Sequence, residues 1–176
     1  MYIFRENETE IFASFEGPFV SALLGPRRVG KTTLTKHYIN THPKRSWVQF
    51  NMDIREERQR IASGELLLMI EELSLQKIGS KEKVWVVIDE AQKCPELFDQ
   101  VKILYDNYKG TDTIKFILTG SAHLNLHQLA AETLAGRVDL LKLREFNLRE
   151  ITRLLNKELS FKHKTALHQI LCSDDT

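Results

Sequence analysis

The stretch Gly25–Thr33 reads GPRRVGKTT and decides how the rest of the chain is interpreted. It matches the pattern G-x-x-x-x-G-K-[ST], in which two glycines precede a lysine and a hydroxyl residue. The apolar run Phe19–Leu24 before it predicts a buried strand, and the four-residue spacing of Leu34 and Tyr38 after it predicts a helix. A glycine-rich turn between a strand and a helix directs several backbone N–H groups at one anion. The stretch therefore predicts a phosphate-binding loop, called the phosphate loop below.

Two side chains of the phosphate loop have a predicted chemical role. Lys31 would reach the β- and γ-phosphates of a nucleotide as a point charge, and the Thr32 hydroxyl would ligate Mg²⁺. Arg27 and Arg28 either help to hold phosphate or a neighbouring acid, or they remain solvated, and both interpretations stay open. The candidate cofactor-binding residues are Gly25, Pro26, Arg27, Arg28, Val29, Gly30, Lys31, Thr32 and Thr33.

Further apolar stretches predict the rest of the sheet. The additional strand candidates are Trp47–Phe50, Val84–Ile88, Ile114–Leu118 and Val138–Leu143, separated by segments with helical spacing. This alternation predicts an α/β fold with a mostly parallel, five-stranded sheet and helices on both faces. Ligands of such folds bind beyond the C-terminal ends of the strands, so the residues that follow each strand are the functional candidates.

The segments between the strands carry their own signals. The apolar spacing within Leu66–Leu73 predicts a helix that Gly79 would end. The charged run Arg55–Arg60 is interpreted as a solvated stretch. Asn147 and Glu150 have the spacing of a capping box, which predicts that another helix begins there.

Polar residues end the third and fourth predicted strands. Asp89 fits the partner site of a magnesium ion held by the phosphate loop, although it could also be a loop-facing acid. Glu90 would point to the other side of the chain and activate an attacking water as a general base, or it would be a solvated acid at a helix start. Thr119 either contacts the γ-phosphate or the attacking water, or it belongs to a plain turn.

Composition limits the classes of protein to consider. The chain has 176 residues, of which 42% are apolar and 28% charged, and a formal net charge of +1. These values favour a folded protein with a core, and they argue against an obligate nucleic-acid coat protein without excluding a local basic patch. The longest apolar runs have five residues, whereas a membrane-spanning helix needs about 20. We therefore expect no membrane partner. The two cysteines, Cys94 and Cys172, lie far apart and are interpreted as reduced thiols, which predicts a cytoplasmic protein.

The nucleotide is predicted to be ATP. Guanine-specific loops carry the pattern Asn-Lys-x-Asp, and the nearest stretch here, Asn156–Leu159, has Leu where the Asp is required.

Four motifs, in this order, resemble those of one known family. They are Gly25–Thr33 (GPRRVGKTT), Ile88–Gln92 (IDEAQ), Leu118–Ser121 (LTGS) and Leu134–Arg137 (LAGR). They are similar to motifs of the bacterial and archaeal AAA-type P-loop ATPases, over about residues 15–151. The resemblance implies a three-layer P-loop NTPase sandwich of the additional-catalytic-glutamate type. In that sandwich the second strand lies outermost and the third is not adjacent to the first.

The resemblance also implies roles for individual residues. These are Lys31 and Thr32 for phosphate and magnesium, Asp89 and Glu90 for magnesium and water, Thr119 as a polar sensor, and Arg137 as an arginine finger for a neighbouring subunit. A finger implies that copies of the chain associate. On residue type alone, Arg137 is equally well explained as half of a surface ion pair.

The predicted function is Mg²⁺-dependent ATP binding and hydrolysis coupled to a conformational change. Residues 1–150 would form the ATPase core, and residues 151–176 a helical tail that begins a further C-terminal region. Two alternatives stay open. One is a nucleotide-dependent switch or scaffold with little turnover. The other is a DNA-linked motor or transposition helper, suggested by the DEAQ string.

Overall fold

The computed structural model describes residues 2–76, 83–121 and 125–156. Five parallel strands form one sheet in the order β2-β3-β4-β1-β5. Their bounds are β1 Val20–Gly25, β2 Ser46–Asn51, β3 Val84–Asp89, β4 Ile114–Ser121 and β5 Val138–Lys142. The predicted parallel α/β sheet is confirmed.

The strand order has the two features that the family resemblance implied. β2 is an outermost strand of the sheet, and β4 separates β3 from β1. Because all neighbours are parallel, the C-terminal ends of β1, β3 and β4 meet at one edge, where Gly25 pairs with Ser121 and Ile88 with Leu118. We call this the carboxyl edge and the opposite one the amino edge.

Helices connect the strands and flank them. They are α1 Glu8–Glu16, α2 Lys31–Thr41, α3 Arg55–Ala62, α4 Glu65–Gln76, α5 Glu96–Tyr108 and α6 Asn125–Thr133, with residues 148–156 forming α7. In the described ranges, none of them is both long and apolar enough to cross a bilayer. Gly79 and residues 157–176 lie outside the described ranges.

Helices cover both faces of the central strands of the sheet, as predicted, and β3 shows how. Its even-numbered residues Val84, Val86 and Ile88 pack into a cluster with α3, α4, α5 and α6. Trp85 and Val87 point the opposite way and join a second cluster with α1 and α2. This alternation follows from the two-residue period of a strand. It explains why the strand is apolar at every position before Asp89.

Three helical features test the local predictions. The capping box forms, because the Glu150 N–H donates to Asn147 Oδ1 and the Asn147 N–H donates to Glu150 Oε2, each at 3.0 Å. Helix α1 was not predicted, although Ile11 and Phe15 are four residues apart and buried. The charged run at 55–60 is solvated as expected, but it belongs to α3, which buries only Ile61.

Candidate phosphate-binding site

Local backbone geometry explains why glycine occupies two positions of the phosphate loop. A Cβ on Gly25 would lie 2.3 Å from the carbonyl oxygen of Leu143, whose N–H donates to Leu24 O at 2.7 Å. Side chains are therefore excluded at Gly25 by the segment that follows β5. Gly30 has φ +102° and is the N-cap residue of α2. That left-handed conformation favours glycine, and it turns the chain so that the helix begins at Lys31.

Lys31 is 5% exposed and folds back into its own loop. Its Nζ donates to the carbonyl oxygens of Gly25 at 3.0 Å and Pro26 at 2.8 Å. The pKa of Lys31 lies below its ordinary value because the side chain is buried, although the carboxylates of Glu90 and Asp89 oppose this shift. The ammonium group is thus bound by the loop carbonyls and interacts electrostatically with Asp89 and Glu90.

The carboxylate of Asp89 joins three separate parts of the chain. Thr32 Oγ1 donates to Asp89 Oδ2 at 2.8 Å, and Thr119 Oγ1 donates to Asp89 Oδ1. The Glu90 N–H also donates to Oδ1, at 3.2 Å. A cleft of about 240 Å³ adjoins Thr32, Asp89 and Thr119 and extends to Phe50. The structure therefore brings together residues that the sequence placed after three different strands.

The donors in this cluster suit a magnesium ion. A threonine hydroxyl and a carboxylate are hard oxygen ligands, and Mg²⁺ commonly binds one or two protein oxygens together with phosphate and water. Thr32 and Asp89 are the residues that would hold it. Thr119 is 1% exposed and contacts Asp89, so its hydroxyl belongs to the cluster rather than to an isolated turn.

Glu90 has an unusual backbone and an engaged side chain. Its φ of 54° is left-handed, which is rare for a residue other than glycine. Gln92 Nε2 donates to Glu90 Oε2 at 2.5 Å and to Ser121 Oγ at 3.2 Å. Gln92 Oε1 is buried and makes no hydrogen bond within the described part of the chain. The Glu90 carboxylate is thus held by its neighbour two residues along the chain.

Arg137 lies at the amino edge, far from the other predicted residues. The Val20 N–H donates to Arg137 O at 2.8 Å, which places Arg137 beside the start of β1. Its Nε and Nη2 donate to the two carboxylate oxygens of Asp106 at 2.7 Å and 3.0 Å. It is a strand length away from its own phosphate loop, so a role at the site of a neighbouring copy stays a prediction. Arg27 and Arg28 are exposed.

Sequence reasoning missed Arg5. Its Nη1 donates to the carbonyl oxygen of Val29, inside the phosphate loop, at 2.9 Å, and its Nε donates to Glu150 Oε1 at 3.1 Å. Arg5 belongs to no motif and follows no strand, and the two contacts span 24 and 145 residues of sequence. No local pattern signals such contacts.

Comparisons with known proteins identify the family and the fold. A family model described as "AAA domain" matches residues 18–152. Uncharacterized proteins of Mycobacterium tuberculosis (Rv2008c) and Mycobacterium bovis (Mb2031c) are each 33% identical over 132 residues. The aligned region covers 75% of this chain but 26% of each relative.

Solved structures show the same fold at low identity. The ORC1 protein of Aeropyrum pernix, solved in complex with DNA, superposes with a TM-score of 0.62 at 15% identity, covering 91% of this chain and 50% of that one. PCH-2 of C. elegans superposes with a TM-score of 0.56 at 18% identity, covering 81% and 44%. The family match covers most of the chain and includes the phosphate loop, Asp89 and Thr119. The chain therefore belongs to the AAA domain family of P-loop ATPases.

Proposed function

We propose that this chain binds ATP with Mg²⁺ at the carboxyl edge, hydrolyses it, and couples hydrolysis to a conformational change. The observation that carries the proposal is the contact between Thr32 Oγ1 and Asp89 Oδ2 at 2.8 Å, beside the ammonium group of Lys31. A hydroxyl from the phosphate loop and an acid from β3 are the two protein groups expected to share a magnesium ion in P-loop enzymes.

Each residue has a distinct task in the proposed reaction. Lys31 supplies positive charge to the β- and γ-phosphates, and the N–H groups at the start of α2 supply hydrogen bonds. Thr32 and Asp89 would hold Mg²⁺, which would supply positive charge to the phosphate oxygens. Glu90 accepts a proton from the attacking water as the general base. Thr119 orients the Asp89 carboxylate through its hydroxyl.

The decisive experiment compares phosphate release by the wild type and by Glu90→Gln, across a range of protein concentrations. An amide cannot accept the water's proton, so we expect turnover to fall by about 10²-fold or more, with ATP binding retained. The matched control is Glu56→Gln, which changes an exposed glutamate of α3 and should leave turnover unaltered. Equal turnover in wild type and Glu90→Gln would assign the base to another group.

One observation favours the alternative of a nucleotide switch with little turnover. Gln92 donates to Glu90 Oε2 at 2.5 Å, so the proposed base is already engaged by a side chain. If this contact restrains Glu90, Gln92→Ala should hydrolyse ATP faster than the wild type. If neither the wild type nor Gln92→Ala releases phosphate while both bind ATP, the switch becomes the better description.

DNA binding is a separate question. The Aeropyrum pernix ORC1 structure contains DNA, but at 15% identity the likeness concerns the fold. A DNA-linked role predicts binding of duplex DNA that weakens steeply as salt is raised. Fluorescence anisotropy with labelled DNA at several salt concentrations tests this directly.

A further inference from the structure

Arg5 is a buried charged residue that joins three segments of the chain. Its side chain is 5% exposed. Nη1 donates to Val29 O at 2.9 Å, Nε donates to Glu150 Oε1 at 3.1 Å, and Nη2 donates to Arg144 O. The guanidinium also lies over the ring of Phe146, 4.1 Å from its centroid. One side chain thus connects the phosphate loop, the segment after β5, and helix α7.

The ion pair with Glu150 compensates for burying the charge of the Arg5 guanidinium. Burying a guanidinium is costly unless it is paired and its donors are used. The Glu150 carboxylate also accepts hydrogen bonds from the N–H groups of Glu6 at 2.7 Å and Asn147 at 3.0 Å. Burial raises the pKa of Glu150, but these N–H groups and Arg5 together bring it below its ordinary value. Arg5 therefore has a fixed anionic partner and a fixed position.

The contact with Val29 determines the direction of one peptide group. In a trans peptide the C=O and the following N–H point to opposite sides. Since Arg5 holds the Val29 carbonyl, the Gly30 N–H points away from Arg5. Gly30 is the N-cap residue of α2, so this N–H lies just before the first helical turn, among the donors that attract anions.

We propose that Arg5 is a positioning residue of the phosphate site. By holding the Val29 carbonyl, it presents the Gly30 N–H to a phosphate of the bound nucleotide, without contacting the nucleotide itself. The inference rests on the proposed nucleotide binding. It extends the site to a residue that precedes α1 and to the ion pair with Glu150.

The test is Arg5→Lys, with affinity measured for a fluorescent ADP analogue and Mg²⁺. Lysine keeps the charge beside Glu150, but a compact ammonium cannot span Val29, Glu150 and Arg144 at once. We expect binding to weaken by about tenfold or more, corresponding to one mispositioned hydrogen bond to a charged group. Affinities are measured well below the midpoint of thermal unfolding of each protein.

One control separates positioning from general destabilisation. Lys115→Met removes another buried cation, at the amino edge, and should keep wild-type affinity even where it unfolds at a lower temperature. If Arg5→Lys binds as the wild type does, or if Lys115→Met loses affinity equally, the inference is overturned. A wild type that binds no nucleotide would instead refute the proposed function.

If Arg5→Lys does not fold, a measurement on the unaltered chain tests whether the Gly30 N–H contacts the nucleotide, which the proposal requires. The amide signal of Gly30 in ¹⁵N-labelled protein should shift strongly on addition of ADP and Mg²⁺, because its N–H gains an anionic acceptor. Gly110, which precedes β4 at the amino edge, is the control signal and should not move. An unmoved Gly30 signal in protein saturated with nucleotide would contradict the proposal.

Discussion

Two buried lysines lie at opposite edges of the same sheet. Their hydrogen-bond partners distinguish the lysine of the candidate site from one with a structural role. Lys31 at the carboxyl edge is 5% exposed and Lys115 at the amino edge is 2% exposed. Each Nζ donates to main-chain carbonyl oxygens. The acceptors are Gly25 and Pro26 for Lys31, and Ser14, Gly17 and Phe19 for Lys115.

The number of acceptors, and the segment that supplies them, tell the two lysines apart. An ammonium group has three N–H donors. Lys115 uses all of them on the carbonyls at and after the C-terminal end of α1, so it caps that helix and fixes the turn into β1. In the described part of the chain Lys31 makes two such bonds, both within its own glycine-containing loop, and its charge interacts with Asp89 and Glu90. Burial alone therefore does not identify a functional lysine.

The largest expected effect concerns Arg137, because a catalytic role for it would bring a residue of the amino edge into the function of the carboxyl edge. If Arg137 serves the nucleotide site of a neighbouring copy, Arg137→Ala should bind ATP normally and lose about 10³-fold in turnover. Wild-type turnover should then rise faster than linearly with protein concentration. Mixing Arg137→Ala with Lys31→Ala should restore part of it, because one copy supplies the intact pocket and the other the arginine.

The control for Arg137 is its ion-pair partner. Asp106→Ala removes the carboxylate but keeps the arginine, so turnover should stay at the wild-type level or rise. A wild type whose specific activity is independent of concentration, together with full activity in Arg137→Ala, would leave the contact with Asp106 as the role of this arginine.

A second prediction concerns the contribution of Lys31, at the carboxyl edge, to nucleotide affinity. Lys31→Ala removes the charge that faces the β- and γ-phosphates, so affinity for a fluorescent ATP analogue should fall by about 10²-fold. Lys44→Ala changes an exposed lysine after the end of α2 and should bind within about twofold of the wild type. Titrations of both variants at one ionic strength make the comparison. Similar affinities for Lys31→Ala and Lys44→Ala would remove Lys31 from the site.

A third prediction concerns stability at the amino edge. Lys115→Met leaves three carbonyl oxygens without their donor, and it should lower the free energy of unfolding by about 2 kcal/mol. Nucleotide affinity should not change. Urea unfolding measures the loss, with Lys102→Met, an exposed position on α5, as the control. A variant as stable as the wild type would mean that burying the charge costs as much as its hydrogen bonds contribute.

The smallest predicted effect is a dependence on pH. Burial lowers the pKa of Lys115 to about 7 from 10.5, with Lys83 adding to the shift and Asp139, Glu16 and Asp112 opposing it. Between these values the unfolded chain binds more protons at Lys115 than the folded chain, so stability must rise with pH. The wild type should gain about 1 kcal/mol over Lys115→Met between pH 7 and pH 8. A constant difference would show that the three carbonyls keep the lysine charged throughout.

Most of the sheet and the residues at its carboxyl edge could be predicted, because the relevant signals are local. The run Val84–Ile88 is apolar at every position, and parallel pairing makes Asp89 and Thr119 converge with Thr32. Contacts between distant segments could not be predicted in the same way. Nothing near Arg5 in sequence indicates a bond to Val29. The position of Arg137 at the amino edge depends on how β5 pairs with β1, which residue type does not reveal.

The tight fit of Gly25 against the carbonyl of Leu143 bears on how this motif would decay during evolution. The glycine is required by the distance between the end of β1 and the chain after β5, with or without a bound nucleotide. A descendant that had lost all affinity for phosphate would still be selected to retain it. In such a lineage Lys31 and Thr32 would drift first. A chain that keeps only the first glycine of the motif therefore shows descent from a phosphate-binding ancestor. A chain that also keeps the lysine and the threonine shows that phosphate binding is still under selection.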